Sequence, residues 1–289
     1  MRKFELLEPK SLAEASAILA NDSDARIVAG GTALLTIIKQ GLLLPKLLVN
    51  LRKVGDASAI TFDPAQGLRI GALATINEIE TSATVQRHYP ALAEACHVVA
   101  NIRIRNMATI GGNLAHGDYQ SDPPTVLAAL NARVELMSAG KIRQLALADF
   151  QLGSYETALQ PGELLAAVII PPLPLGMNGH YVKFTTGSSE ERPCAGVAAL
   201  AWIDNGVCKE LRLAVGAVSA KPVRIAAETL ANGKALRSDL IATIAAEAAR
   251  TIDPIDDVRR PTDYKRHLVG VLTRRALKTL ANGKAETKS

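Results

Sequence analysis

"VAGGTALL", residues 28–35, decides how this chain is read. Ile27, Val28 and Ala29 are apolar and run straight into Gly30-Gly31, and Thr32 and an apolar helical pattern follow. A strand that enters a helix through two glycines makes a turn whose backbone N–H groups no Cβ covers. Successive uncovered N–H groups form an anion-binding nest, and a helix that begins at once adds its dipole. The pattern returns at "TIGGNLA", 109–115; these are the only two Gly-Gly pairs in the sequence. Two such loops suit the two phosphates of a dinucleotide, with Thr32, Thr109 and Asn113 as polar neighbours. Taken singly, each pair also reads as no more than a tight turn. No G-x-x-x-x-G-K-[ST] occurs and no G-x-G-x-x-G follows a strand, which argues against a P-loop nucleotidase and a Rossmann dinucleotide domain.

Outward from the first loop, a capping box at Ser11–Glu14 opens a helix that stops at Asn21-Asp22. A short buried strand over 26–29, a helix from about Thr32 to Gln40 with Gly41 after its end, and a strand at 47–50 complete a β–loop–α–β unit. Strands are expected at 58–62 and 68–72 around the turn at 63–67, a second capping box at Thr75–Glu78, and a helix over 91–99. Pro123 and Pro124 suit a helix start with Asp122 as N-cap. "RVELMS" and "KIRQLAL" read as a hairpin, and "LLAAVII" ends at Pro171-Pro172-Leu173-Pro174, a domain boundary. After it "HYVKFTT", "GVAALAWID" and "CKELRLAVGAV" read as three strands, with helical patterns over 221–232, 237–251 and 263–281.

Bulk properties exclude several classes. With 289 residues the chain buries a sizeable core, in two domains or one domain with subdomains. Aromatic residues make up only 3%, so the net charge of +5 comes without a stacking platform for single-stranded nucleic acid. The densest basic spots, 103–105, 259–260 and 274–275, read as solvated faces. Cys96, Cys194 and Cys208 lie far apart with no Cys-x-x-Cys, so neither a zinc nor an iron–sulfur site is written here. "MRKFELLEPK" has no apolar signal core and no apolar stretch reaches the ~20 residues of a membrane span, so a cytoplasmic protein is expected, with disorder only in the tail "NGKAETKS".

"VAGGTALL", "RNMATIGGNLA" and "SDPPTVLAALNARVEL", in this order and spacing, resemble the FAD-binding (medium) subunit of molybdenum hydroxylases, the family of xanthine dehydrogenase and aerobic carbon monoxide dehydrogenase. The likeness covers nearly the whole chain, through "PGELLAAVIIPP" and "KFTTGSSEERPCAGVAAL". It implies an α+β protein with the FAD-binding fold of the p-cresol methylhydroxylase/vanillyl-alcohol oxidase type. Residues 1–175 would be the FAD-binding domain, with α/β subdomains of about 1–55 and 56–175. Residues 176–289 would form a smaller C-terminal domain, a three-stranded antiparallel sheet plus helices. It also implies that Ala29, Gly30, Gly31, Thr32 and Ala33, with Val28 and Leu34 beside them, wrap the FAD pyrophosphate. Thr109, Gly112 and Asn113 would meet the pyrophosphate and the flavin side. Asp122 would accept from the ribityl or adenosine hydroxyls, a role compatible with capping. Leu165 would pack near the isoalloxazine and Lys183 lie by the cofactor, although an exposed strand lysine is the commoner meaning of such a residue.

There are departures. Many relatives carry Asp where Glu191 stands, followed by a small or apolar pair rather than Arg192-Pro193. The "HGDYQ" run, 116–120, departs from "SPIS"-like forms, and its His116 and Tyr119 read as loop residues. Wider-fold flavoproteins that attach FAD do so through His or Cys near a glycine loop; none lies in 26–40, so non-covalent FAD is expected. Asn113 runs to Asp122 without a cysteine, so the iron–sulfur insertion of one related branch is expected to be missing. By this resemblance the chain is the electron-transfer subunit of a heterotrimer, assembled as a dimer of heterotrimers. A small subunit would bring two [2Fe–2S] clusters and a large one the molybdenum cofactor, and this chain's FAD would pass electrons to an external acceptor. No catalytic or metal-ligating residue is assigned to it. The rival readings are a stand-alone FAD oxidase or dehydrogenase of the same wider fold, and a non-catalytic nucleotide-binding module.

Overall fold

The computed structural model describes residues 3–257 and 260–282. The expected solvated face at Arg259 and the expected disordered tail, from residue 283 onward, lie outside the described residues. The chain divides into two compact units: Met1–Ile79 with Asn101–Asp118 and Ala132–Pro171, and Glu80–Ala100 with Tyr119–Asn131 and the chain from Pro172.

The first unit opens with β1 (Glu5–Leu7), α1 (Leu12–Asn21), β2 (Ala25–Val28), α2 (Leu34–Lys39) and β3 (Leu47–Asn50). The strand order is β1-β3-β2 and both pairings are parallel, as a strand–helix–strand crossover requires. Ser11 caps α1, its hydroxyl accepting from the Glu14 N–H at 3.1 Å. β1 is a three-residue edge strand, too short for alternation to reveal, and the sequence reading omits it. α2 begins two residues later than expected, because Gly31 adopts φ +73° and the chain turns helical only past it.

The next stretch runs β4 (Ile60–Asp63), β5 (Gly67–Gly71), α3 (Ile76–Thr81), α4 (Ala83–His88), α5 (Pro90–His97), α6 (Ile102–Arg105), α7 (Ile110–His116), α8 (Asp122–Ala129), β6 (Arg133–Ser138), β7 (Lys141–Ala146), α9 (Leu147–Phe150), β8 (Gln151–Gly153), β9 (Glu156–Thr157) and β10 (Leu164–Ile170). Of these, β4, β5, β10, β6 and β7, in that order, form the antiparallel sheet of the first unit. β10 is its centre, which is why "LLAAVII" is wholly apolar rather than alternating. Leu164 and Ala166 on β10 share a core with Ala15, Leu47 and Val49, so both sheets of the unit close on one cluster. The buried Ser16 hydroxyl stitches them, donating to the Gly162 carbonyl at 2.9 Å and accepting from the Ala139 N–H at 2.8 Å.

The second unit is built on β11 (Met177–Phe184), β12 (Ala195–Asp204), β13 (Val207–Gly216) and β14 (Val223–Arg224), with α10 (Ser238–Thr251) and α11 (Thr262–Ala281). The strands are antiparallel in sequence order. The expected helix over 221–232 is instead β14 and a 3-10 turn over Ala226–Ala231. Pro222 biases the residue before it to extended backbone, and the Ile225 N–H bonds the Leu213 carbonyl at 2.9 Å, which adds a fourth strand. Val197, Ala199 and Ala201 of β12 pack with Ile241, Ile244, Leu268 and Leu272 of α10 and α11. The alternate residues face α5 and α8: a Cβ on Gly179 would touch Ala91, and one on Gly216 would overlap Thr125.

Candidate cofactor site

The first glycine loop is shaped to leave its amides unspent. Gly31 sits at φ +73°, where an L side chain is strained, and a Cβ on it would meet only side-chain atoms, Leu35 Cδ1 at 3.0 Å and Val28 Cγ1 at 3.6 Å. The N–H groups of Gly30, Gly31, Thr32 and Ala33 make no hydrogen bond within the described protein, nor does the Thr32 hydroxyl. The Gly31 and Ala33 carbonyls are already taken by α2, from the Leu35, Thr36 and Ile37 amides. What remains is a row of donors, the donor set that a phosphate uses.

The second loop differs from the expectation of a matching nest. Thr109 is the N-cap of α7, and its hydroxyl accepts from the Gly112 N–H at 3.1 Å. The amides of Ile110, Gly111 and Asn113 go to the carbonyls of Ala74, Ala72 and Thr109. All four N–H groups of this turn are therefore occupied. Gly111 is a packing requirement, since its Cβ would lie 2.6 Å from the Ala72 Cβ and 2.7 Å from the Ala72 carbonyl oxygen. Gly112 has ordinary backbone, and a Cβ there would meet only the Thr109 hydroxyl, at 2.9 Å. The proton of that hydroxyl remains available to donate.

The two loops adjoin within the first unit. A Cβ on Gly30 would overlap the Met107 carbonyl and stand 2.9 Å from the Ala108 Cα, so only glycine lets the first loop lie against the chain entering the second. Beside them opens a cleft of about 230 Å³ lined by Ala29, Arg52, Leu73, Thr75, Met107 and Thr109, among others. Arg52, which the sequence reading did not single out, reaches Met107 with Nη2 2.9 Å from Sδ. Val28 is the last residue of β2 and Leu34 the first of α2. Leu165, also in this unit, is buried on β10 at a bulge between Leu165 and Ala167.

Asp122 and Lys183 come together in the second unit. Ser121 rather than Asp122 is the N-cap of α8, a one-residue shift, and Asp122 occupies the first helical turn with Pro123 and Pro124. Its carboxylate accepts from the Tyr181 hydroxyl at Oδ1, 2.8 Å, while Lys183 Nζ stands 3.4 Å from Oδ2. Lys183 also donates to the carbonyls of Val98 at 2.6 Å and Glu191 at 3.0 Å. Its side chain is 8% exposed, so this is not a solvated strand lysine. Burial pushes the Asp122 carboxyl up to about 6, against the opposing pull of Lys183 and the Tyr181 hydrogen bond. Burial and the neighbouring Asp122 charge likewise push the Tyr181 phenol up. Tyr181 is the residue the sequence reading missed. Its signal was strand alternation, which sets residues 181 and 183 on one face of β11.

The remaining candidates have structural places. His116 ends α7 with its ring 5.2 Å from that of Tyr155, and the Tyr119 hydroxyl lies 3.1 Å from Asp257 Oδ2. Glu191 serves Lys183 through its backbone carbonyl, and its carboxylate receives the Thr186 hydroxyl at 3.4 Å. Cys96 and His97 are the last residues of α5. Among the described residues no cluster of three or more His, Cys, Asp or Glu is placed to hold a metal, and no helix is long and apolar enough to cross a membrane.

A donor-lined glycine loop lies beside a second loop in an α+β unit, and the family comparisons give the class of the protein. Residues 2–173 match the family described as FAD binding domain in molybdopterin dehydrogenase, and residues 182–280 match the CO dehydrogenase flavoprotein C-terminal domain. The chain belongs to the FAD-binding (medium) subunits of the molybdenum hydroxylase family, and so is an oxidoreductase subunit. It is 31% identical to the glyceraldehyde dehydrogenase medium chain of Sulfolobus acidocaldarius, over 96% of this chain and 99% of that one. It is 34% identical to the carbon monoxide dehydrogenase medium chain of Afipia carboxidovorans, over 95% of each. Among solved structures, quinoline 2-oxidoreductase from Pseudomonas putida 86 superposes with a TM-score of 0.92 at 31% identity, covering 98% of both chains.

Proposed function

We propose that this chain holds one FAD non-covalently and acts as the electron outlet of a heterotrimeric molybdenum hydroxylase in the cytoplasm. Its partners would be a small subunit with two [2Fe–2S] clusters and a large subunit with the molybdenum cofactor, paired as a dimer of heterotrimers. Bound FAD would supply the exchange of electrons between those clusters and an external acceptor. The observation that carries the reading is the row of unspent amides at Gly30–Ala33. Buried polar groups without partners are costly, and a half-buried loop with four free donors fits a bound anion. In this reading Ala29, Gly30, Gly31, Thr32 and Ala33, flanked by Val28 and Leu34, hold the pyrophosphate. The Thr109 hydroxyl, Gly112 and Asn113 border it, and the spent amides of that turn limit its share to side-chain donors. Asp122 accepts from cofactor hydroxyls, Lys183 anchors Asp122, and Leu165 offers an apolar wall. Residues 1–175, with subdomains of about 1–55 and 56–175, act as the FAD-binding domain and 176–289 as the C-terminal one. The gap between the two family matches, after 173 and before 182, supports that division.

The deciding experiment is co-purification with metal analysis. Iron, molybdenum and flavin should travel with this chain in one complex, and acid precipitation should release all the flavin to the supernatant. The isolated chain should take electrons from a chemical reductant and hand them to a dye, yet fail to oxidise any organic substrate that the whole complex oxidises. Flavin left on the denatured polypeptide would exclude non-covalent binding. Reduction of the isolated flavoprotein by an organic substrate would exclude the outlet role.

A further inference from the structure

The sheet of the second unit carries a feature that the cofactor reading does not use. Gly196 of β12 and Gly216 of β13 are direct cross-strand partners, so two side chains are missing from one spot on the sheet face. The gap is filled from both sides. A Cβ on Gly196 would overlap the Tyr181 hydroxyl, and one on Gly216 would overlap the Thr125 side chain. Two glycines in adjacent strands weaken a sheet, and here they make room for one phenol beneath the first turn of α8. That phenol is buried, at 6% exposure, and its hydroxyl lies 2.8 Å from Asp122 Oδ1. Its backbone is held as well, because the Tyr181 N–H donates to Glu94 Oε2 at 3.0 Å.

We infer that Tyr181 is a positioning residue, seated in the Gly196–Gly216 gap to hold the Asp122 carboxylate as a hydrogen-bond acceptor for the cofactor's hydroxyl groups. The inference rests on the proposed role of Asp122. A carboxylate has about four acceptor sites, and Tyr181 and Lys183 occupy two, which leaves lone pairs for a ligand. The groups facing Asp122 are few. β11 contributes Lys183 and Tyr181, and the segment after β11 contributes the Glu191 carbonyl, reached through Lys183. On α5, Glu94 is engaged by His180 and the Tyr181 N–H, and His97 by Glu80. Arg224 on β14 is paired with Glu228 and Asn131. Among the described residues Tyr181 is the neutral side-chain donor on the carboxylate, and removing it favours the protonated acid.

FAD binding by the full-length apoprotein, titrated by flavin fluorescence between pH 5 and pH 9, tests this. Wild-type affinity should weaken as pH falls through about 6, where Asp122 takes up its proton. In Tyr181→Phe the same weakening should start about one to two pH units higher, the worth of a hydrogen bond to a charged group. The variant should bind FAD about twofold to tenfold more weakly at pH 7 and match wild type at pH 9. Gly196→Ala, which keeps the phenol but puts a methyl where its hydroxyl lies, should shift the profile the same way. Asp122→Asn should flatten the profile in every background. A loss of affinity that is equal at all pH values, or no change, in both Tyr181→Phe and Gly196→Ala would overturn the positioning role. A wild-type apoprotein that does not bind FAD would overturn the functional reading, and this inference with it.

Discussion

Replacing Gly31 by alanine separates the cradle from its scaffold. The left-handed φ of +73° costs an L-residue about 1–2 kcal/mol. The added Cβ presses on the Leu35 side chain, at 3.0 Å from Cδ1, which can rotate away, and makes an ordinary contact with Val28 Cγ1 at 3.6 Å. Reduced freedom of the unfolded chain returns about 0.4–1 kcal/mol, so the net loss is about 1 kcal/mol. For a chain of this length that lowers the melting temperature by about 2–4 °C. Relief of the strained φ would turn the loop amides away from a common focus. Each amide–phosphate bond lost is worth about 1.5–3 kcal/mol, or about tenfold to a hundredfold in affinity. Gly30→Ala is the paired control. Its methyl would overlap the Met107 carbonyl, which is backbone and cannot rotate aside, so the two loops must part. Overpacking of that kind costs about 1–3 kcal/mol or more. The assay is thermal melting of each apoprotein by circular dichroism, followed by FAD titration. Gly31→Ala should stay folded and lose flavin, whereas Gly30→Ala should lose flavin and several degrees more of melting temperature. Unchanged FAD affinity in Gly31→Ala would refute the amide cradle. A Gly30→Ala protein as stable as wild type would refute the close packing of the loops.

The same geometry sets three further outcomes. Asp122 titrates higher in the folded chain, about 6, than in the unfolded one, near 3.8, so this group stabilises the fold at low pH and the contribution fades as pH rises through about 6. Denaturant unfolding of the apoprotein should show Asp122→Asn gaining up to about 3 kcal/mol relative to wild type between pH 4 and pH 7, and a pH-independent difference would contradict the buried carboxylate. Glu163 has the opposite sign, since its hydrogen bond to Arg143 holds it below the usual carboxylate range, with Nε–Oε1 2.6 Å and Nη2–Oε2 2.7 Å. Glu163→Gln should therefore cost about 1 kcal/mol at neutral pH, a loss that disappears as acid protonates the wild-type carboxylate; equal costs at pH 3 and pH 7 would argue against the ion pair. Gly111→Ala should destabilise the protein by about 1–3 kcal/mol through its collision with Ala72, and an unperturbed melting curve would show that the second loop is not pinned there.

Much of the architecture is local information. The Ser11 cap, the proline start of α8, the β6–β7 hairpin and the apolar β10 were legible because capping residues, prolines and hydrophobic period act within a few residues. The two glycine pairs were legible too, and with the segments around them they carried the family resemblance that the whole-chain matches bear out. Their difference was not. "AGGT" and "IGGN" look alike in the sequence, yet the amides of one are free and those of the other are bonded to Ala72, Ala74 and Thr109. Thr109 is a local cap, but for Ile110 and Gly111 the outcome is decided by Ala74 and Ala72, more than thirty positions away, through contacts that no local pattern encodes. The same holds for Asp122 and Tyr181, 59 residues apart, which meet because α8 packs on the glycine gap of a sheet formed later in the chain. Sequence alone determined which segments could turn, alternate or cap. Tertiary structure decided which donors were left unspent and which carboxylate was buried, because both depend on which distant groups arrive to satisfy them.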